Sequence, residues 1–105
     1  VYKAIQDAVG RPVAIKVIAR SGRDPLAVER SRIEAQSIGR IRHPNVVELF
    51  DYGEREDHTF LVMEYVGGPT LLQAAGGRPQ PGWWAAGILE PVARAIHVAH
   101  RIGVI

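Results

Sequence analysis

The stretch "RPVAIKVIAR", Arg11 to Arg20, decides how this chain is read. Its β-branched residues and its alternation are those of a half-buried strand, yet an ammonium group, Lys16, sits at its centre. The preceding "VYKAIQDAVG", Val1 to Gly10, repeats the period-2 pattern, so the two runs form a β-hairpin with its turn around Asp7 to Pro12. Pro12 is expected ahead of the second strand, where it removes no ladder bond. A lysine inside such a strand is either a solvated charge that blunts a sheet edge or a charge placed to meet an anion. The rest of the chain decides between the two.

Outward from the hairpin, "SGRDPLAVERSRIEAQSIGRIRHP", Ser21 to Pro44, reads as a helix. Asp24 can cap it, Pro25 suits the first helical position, and the helix must stop before Pro44. Glu34, Ile38 and Ile41 fall at the spacing of one helical face, which turns the Glu34 carboxylate inward. The bland alternative pairs Glu34 with Arg30 on a solvated face, an arrangement worth only about 0.3 kcal/mol. Two more strands follow, "NVVELFDYG" and "HTFLVMEYV", joined by the charged turn "EREDH". A short helix is expected from Thr70 to Ala75. "GWWAAGILEPVARAIHVAHRIG", from Gly82, carries apolar residues at 85, 88, 89, 92, 96 and 99, a helical stripe. Pro91 should kink that helix or mark its real start, and Gly103 suits its C-terminal cap. The order ββαββ followed by helices gives an α+β chain with an antiparallel sheet of about four strands.

Bulk properties bound what such a chain does. Its 105 residues make one small domain. With 47% hydrophobic and 23% charged residues the composition is globular. A net charge of +2 without any basic block leaves no footprint for nucleic acid. The absence of cysteine excludes disulfides and thiolate metal sites and fits a reducing, cytoplasmic setting. No apolar run approaches the length of a membrane span. Both ends, "VYKAI" and "RIGVI", are apolar, and the chain is expected to be a truncated piece. His97 and His100 share a helix face but have no further ligands at metal-binding spacing. His43 is read as satisfying local backbone groups, and Trp83 and Trp84 as packing anchors.

Val13-Ala14-Ile15-Lys16 resembles the "V-A-I-K" signature of the third strand of protein kinases. Around it, "VYKA" resembles the chain that leaves the glycine-rich loop. "RHPNVVELFDYG" resembles the connection after helix C, "FLVMEYVGGPTL" the fifth strand and hinge, and "AIHVAHRIGVI" the helix that leads to the catalytic loop. The resemblance runs through the whole chain and is to the Ser/Thr kinases, with "HPNVV…MEYVGG" and "AHRIGVI" similar to the bacterial, eukaryotic-like branch. It implies a partial kinase small lobe over residues 1–63 without the glycine-rich loop, a hinge at 64–68, and the first helices of the large lobe at 69–105.

By the same resemblance Lys16 contacts the α- and β-phosphates of ATP, and Glu34 is its ion-pair partner. Val1 and Ala14 form an apolar roof over adenine, and Leu71 lies beneath it. Met63 guards the back pocket. The backbones of Glu64 and Val66, with Tyr65 between them, meet adenine's edge, while Ile38 and Leu49 stack between the lobes. The implied cofactors are ATP and Mg²⁺, with the metal ligands and the catalytic base outside these residues. The chain alone is therefore expected to be inactive, as part of an ATP-dependent enzyme that acts on Ser or Thr of a protein substrate. The alternatives are a non-catalytic nucleotide-binding or interaction module of pseudokinase type, and a small-molecule phosphotransferase with the same small lobe.

Overall fold

The computed structural model describes residues 1–19 and 24–105. Arg20 and the first residues of the expected helical stretch, Ser21 to Arg23, lie outside the described residues. Strands β1 (Tyr2–Gln6) and β2 (Arg11–Ala19) are followed by helix α1 (Pro25–Ile38), strands β3 (Leu49–Arg55) and β4 (His58–Glu64), and helices α2 (Leu71–Ala75) and α3 (Gly82–Arg101). The strands form one antiparallel sheet in the order β1-β2-β4-β3. The ββαββ reading and the antiparallel α+β class are thus observed.

Local chemistry explains each boundary. The first hairpin closes through Gly10, whose φ of 67° is the left-handed geometry that glycine adopts at little cost, and whose N–H donates to the Gln6 carbonyl at 2.7 Å. Only two residues separate β3 from β4, and Glu56 takes a φ of 53° to make so tight a turn. Pro12 lies inside β2, opposite Ile5, rather than ahead of it. It is tolerated because β4 begins to pair with β2 only at Val13, so β1 alone borders the strand at Pro12. The register of β3 shifts between Leu49 and Asp51, which leaves Phe50 as the extra residue of a bulge.

Helix α1 begins as its sequence dictates. The Asp24 side chain accepts from the Leu26 N–H at 3.0 Å, and Pro25 occupies the first turn. Its inward side, however, differs from the expected one. Ala35 is the buried residue, Ile38 is half-buried, and Glu34 is exposed. Ile41, which helped assign the face, is buried but lies beyond the end of the helix at Ile38, where helical spacing no longer applies.

Helix α2 is held by a reciprocal cap, in which the Thr70 hydroxyl accepts from the Gln73 N–H and the Gln73 side chain accepts from the Thr70 N–H. Helix α3 runs unbroken through Pro91, so that residue does not mark its start. At its end Gly103 has a φ of 87°. Gly103 and Val104 donate to the carbonyls of His100 and Ala99, both at 3.0 Å, closing a Schellman motif one residue past the cap.

The core is thin. Val13, Ala35, Ile41 and Ala95 are its buried apolar residues among those described, and Thr59 is buried with them. The radius of gyration, 16.4 Å, exceeds the roughly 13 Å of a compact chain of this length. The accessible surface of 8261 Å² likewise exceeds the roughly 5,800 Å² of a compact monomer of this mass. Much of the excess is apolar, including Leu89, Val92 and Ile96 along one side of α3.

Candidate functional site

Strand pairing brings the sequence-selected residues into order. Lys3 of β1, Ala14 of β2, Met63 of β4 and Leu49 of β3 form one row across the sheet. Lys16 is two residues further along β2, so it projects from the same face as Ala14, and it lies opposite Leu61. That face therefore presents the apolar Ala14, Met63 and Leu49 between two ammonium-bearing positions, Lys3 at the end of the row and Lys16 beside it. Ala14 and Met63 are half-buried, whereas Lys16 is exposed.

Strand β4 ends at Glu64, and the chain leaves the sheet through Tyr65 and Val66. The Glu64 N–H donates to the Glu48 carbonyl at 2.9 Å, and a Glu64 carboxylate oxygen accepts from the Glu48 N–H at 3.3 Å. These two bonds anchor the exit of β4 to the chain just before β3. Behind it lies a hollow of about 240 Å³ lined by Ile41, His43, Val46 and Glu64. There the His43 ring nitrogen Nδ1 accepts from the Asn45 N–H at 3.1 Å, the local backbone role expected of it. Val1, Val66 and Leu71 are exposed, the last as the first residue of α2.

Helix α1 meets the sheet at β3. A side chain at Gly39 would come within 3.7 Å of Leu49, and Ala35, Gln36 and Gly39 line a surface hollow with Leu49 and Tyr52. The Arg32 guanidinium donates to Glu29 at 2.7 Å. That hydrogen bond and the Glu29 charge raise its pKa, with Glu54 and Tyr52 on β3 adding to the effect.

The structure does not join Lys16 and Glu34 in an ion pair. Among the described residues the ion pairs are Arg32–Glu29, Arg42–Glu48 and Arg94–Glu90. The physical reason is that both Lys16 and Glu34 are exposed. Water solvates each charge, and an exposed pair gains at most about 1 kcal/mol. Lys16 thus presents its charge on the sheet face with no protein anion bound to it. Among the described residues no group of three or more His, Asp or Glu side chains is placed to hold a metal ion.

Two residues that sequence reasoning passed over stand beside the exit of β4. Lys3 Nζ lies 4.5 Å from the centroid of the Tyr65 ring. Gly67 faces the same ring, and a β-carbon there would come 3.3 Å from Tyr65 Cε1. The usable signal was an aromatic residue followed by Gly67 and Gly68, with a lysine in register opposite Ala14.

A single family model, described as the protein kinase domain, matches residues 1–105 from end to end. The chain belongs to the protein kinase family. A serine/threonine-protein kinase PknL of Mycobacterium bovis is 36% identical over the whole of this chain, which covers 27% of that relative. A serine/threonine-protein kinase PrkC of Bacillus subtilis is 39% identical over 96% of this chain and 16% of its own length. The corresponding kinase pkn2 of Myxococcus xanthus is 36% identical over the whole chain and 13% of its own length. The chain thus spans about a quarter or less of the length of these relatives. No described helix is long and apolar enough to cross a membrane.

Proposed function

We propose that this chain supplies the adenine- and phosphate-facing part of the ATP site of a protein Ser/Thr kinase. The observation that carries the reading is the shared sheet face of Ala14, Lys16 and Met63 beside the 64–66 segment, in a chain that belongs to the kinase family throughout. Residues 1–63 act as the partial small lobe, 64–68 as the hinge, and 69–105 as the start of the large lobe.

The residues present fit a nucleotide. Lys16 offers an exposed ammonium without a protein counter-charge, ready for the α- and β-phosphates, while Val1, Ala14 and Leu71 offer apolar surface for the base. Backbone groups of Glu64 and Val66, to either side of Tyr65, bond the edge of adenine, and Met63 limits the depth of the pocket. Glu34 comes to orient Lys16 once phosphate replaces water around the ammonium. Mg²⁺ is held by carboxylates together with the phosphates of the nucleotide, and among the described residues no group of three or more His, Asp or Glu offers it a dedicated site. In this reading the chain binds and orients ATP through Lys16 and the 64–66 segment. The relatives named above are serine/threonine-protein kinases, which favours a Ser or Thr hydroxyl over a small-molecule acceptor.

Calorimetric titration with ADP tests the reading. ADP should bind, and Lys16→Met should weaken it about ten-fold or more, the effect of losing charge-assisted hydrogen bonds. No binding by the natural chain at about 1 mM, the weak end of ordinary enzyme–substrate affinity, refutes the nucleotide site. Binding with Lys16→Met unchanged removes Lys16 from it.

A further inference from the structure

Strand β1 occupies one edge of the sheet, and two strands, β2 and β4, separate it from β3. Through the ladder alone, β1 communicates with residues 64–68 only by way of β2 and β4. The Lys3–Tyr65 contact bypasses that route. A lysine ammonium within about 6 Å of an aromatic centroid is drawn to the negative face of the ring, and Lys3 Nζ is at 4.5 Å. Among the described residues Lys3 makes no ion pair, so the ring is its electrostatic partner. The ring also abuts Gly67, where a β-carbon would come to 3.3 Å from its edge. A β-carbon there would make the ring give by a few tenths of an ångström, whereas one at Gly68 would meet nothing within 4 Å.

We propose that Lys3, Tyr65 and Gly67 form a latch that ties the edge strand β1 to the 64–68 segment and sets the gap between roof and hinge before nucleotide arrives. Lys3 is a positioning residue in this arrangement, acting through Tyr65 rather than on the nucleotide. Its consequence for affinity rests on the nucleotide reading given above, while the latch itself does not. With the latch closed, the backbone of Glu64 and Val66 is held at a fixed height below Val1 and Ala14, so the adenine slot is preorganised rather than assembled on binding.

The test uses the full 105-residue chain and two readouts. By NMR, the ε-methylene protons of Lys3 should be shifted upfield by the Tyr65 ring current, and Tyr65→Leu should return them to ordinary values. By titration with ADP, Lys3→Met should weaken binding about two- to five-fold, the size of an exposed cation–π contact, while Lys3→Arg and Tyr65→Phe should keep it. In the Tyr65→Leu background Lys3→Met should add no further loss, a pattern that unrelated structural damage does not produce. The same non-additivity should appear in urea midpoints measured without nucleotide. An unshifted Lys3 resonance, or losses from the two variants that add independently, overturns the latch. An intact shift and coupling in a chain that fails to bind ADP leaves the latch standing and overturns the nucleotide site instead.

Discussion

Among the described residues Val13 is the one large side chain with almost no exposure, 2%, and Val17 lies on the same strand and the same face with 36%. Replacing each by alanine removes the same two methyl groups, so the pair isolates burial from chemistry. Two buried methyl groups are worth about 1.6 kcal/mol in transfer, and the cavity left among rigid neighbours raises the cost of Val13→Ala to about 2–3 kcal/mol. Val17 already meets water and leaves a notch that solvent fills, so Val17→Ala should cost about 0.5–1 kcal/mol. A chain of this size has roughly 5–15 kcal/mol in all, and its thin core places it at the lower end. Urea denaturation followed by tryptophan fluorescence reads the difference. With a slope of about 1 kcal/mol per molar urea, the Val13→Ala midpoint should fall by about 2–3 M and the Val17→Ala midpoint by about 0.5–1 M. Equal losses for the two variants would refute the claim that stability is concentrated where β2 passes between Ala4 and Glu64.

Removing the cap of α1 with Asp24→Ala should lower stability by about 1 kcal/mol, while Asp24→Ser should stay close to the natural chain, both checked by urea midpoints. Gly103→Ala forces a β-carbon into the left-handed region and should cost about 1–2 kcal/mol, seen as a lower thermal midpoint and fraying of the last turn of α3 by NMR. Pro91→Ala should act in the opposite direction. It restores a donor to the Gly87 carbonyl and removes a helix-interior proline, for a gain of about 1–2 kcal/mol after the loss of some ring packing. A fall in thermal midpoint for that variant would show that the proline ring packs more than it disrupts.

The parts of the fold that were legible in the sequence are those governed by local chemistry. Alternation marked the first hairpin, Asp24 and Pro25 marked the start of α1, and the stretch from Thr70 to Ala75 marked α2, because each signal acts within a few residues. Features that depend on neighbours distant in sequence were not. Pro12 is acceptable inside β2 only because β4 stops short of it, and the bulge at Phe50 belongs to the pairing of β3 with β4 rather than to any turn residue. The face of α1 was misread because its apolar content is sparse and its packing residue is the small Ala35. At the site, Ala14, Lys16 and Met63 were found through a motif and its spacing. Lys3 and Gly67 escaped because their meaning lies in a ring that sits next to neither of them in the strand ladder. The Lys16–Glu34 pairing was implied by the family resemblance, and the exposure of both side chains removes the force that would draw the two together.

The proline within α3 divides twenty residues into unequal mechanical halves. Without its N–H, the rung between Pro91 and Gly87 is absent, and glycine at the facing position adds its own looseness. The segment after this joint holds Ala95, the helix's buried residue, whereas the segment before it has only half-buried ones, Trp84, Ala85 and Ile88. Thermal agitation should therefore swing the Trp83–Trp84 end as a lever about a fixed base, and amide exchange along the rod should fall into two blocks with distinct rates that meet at the joint.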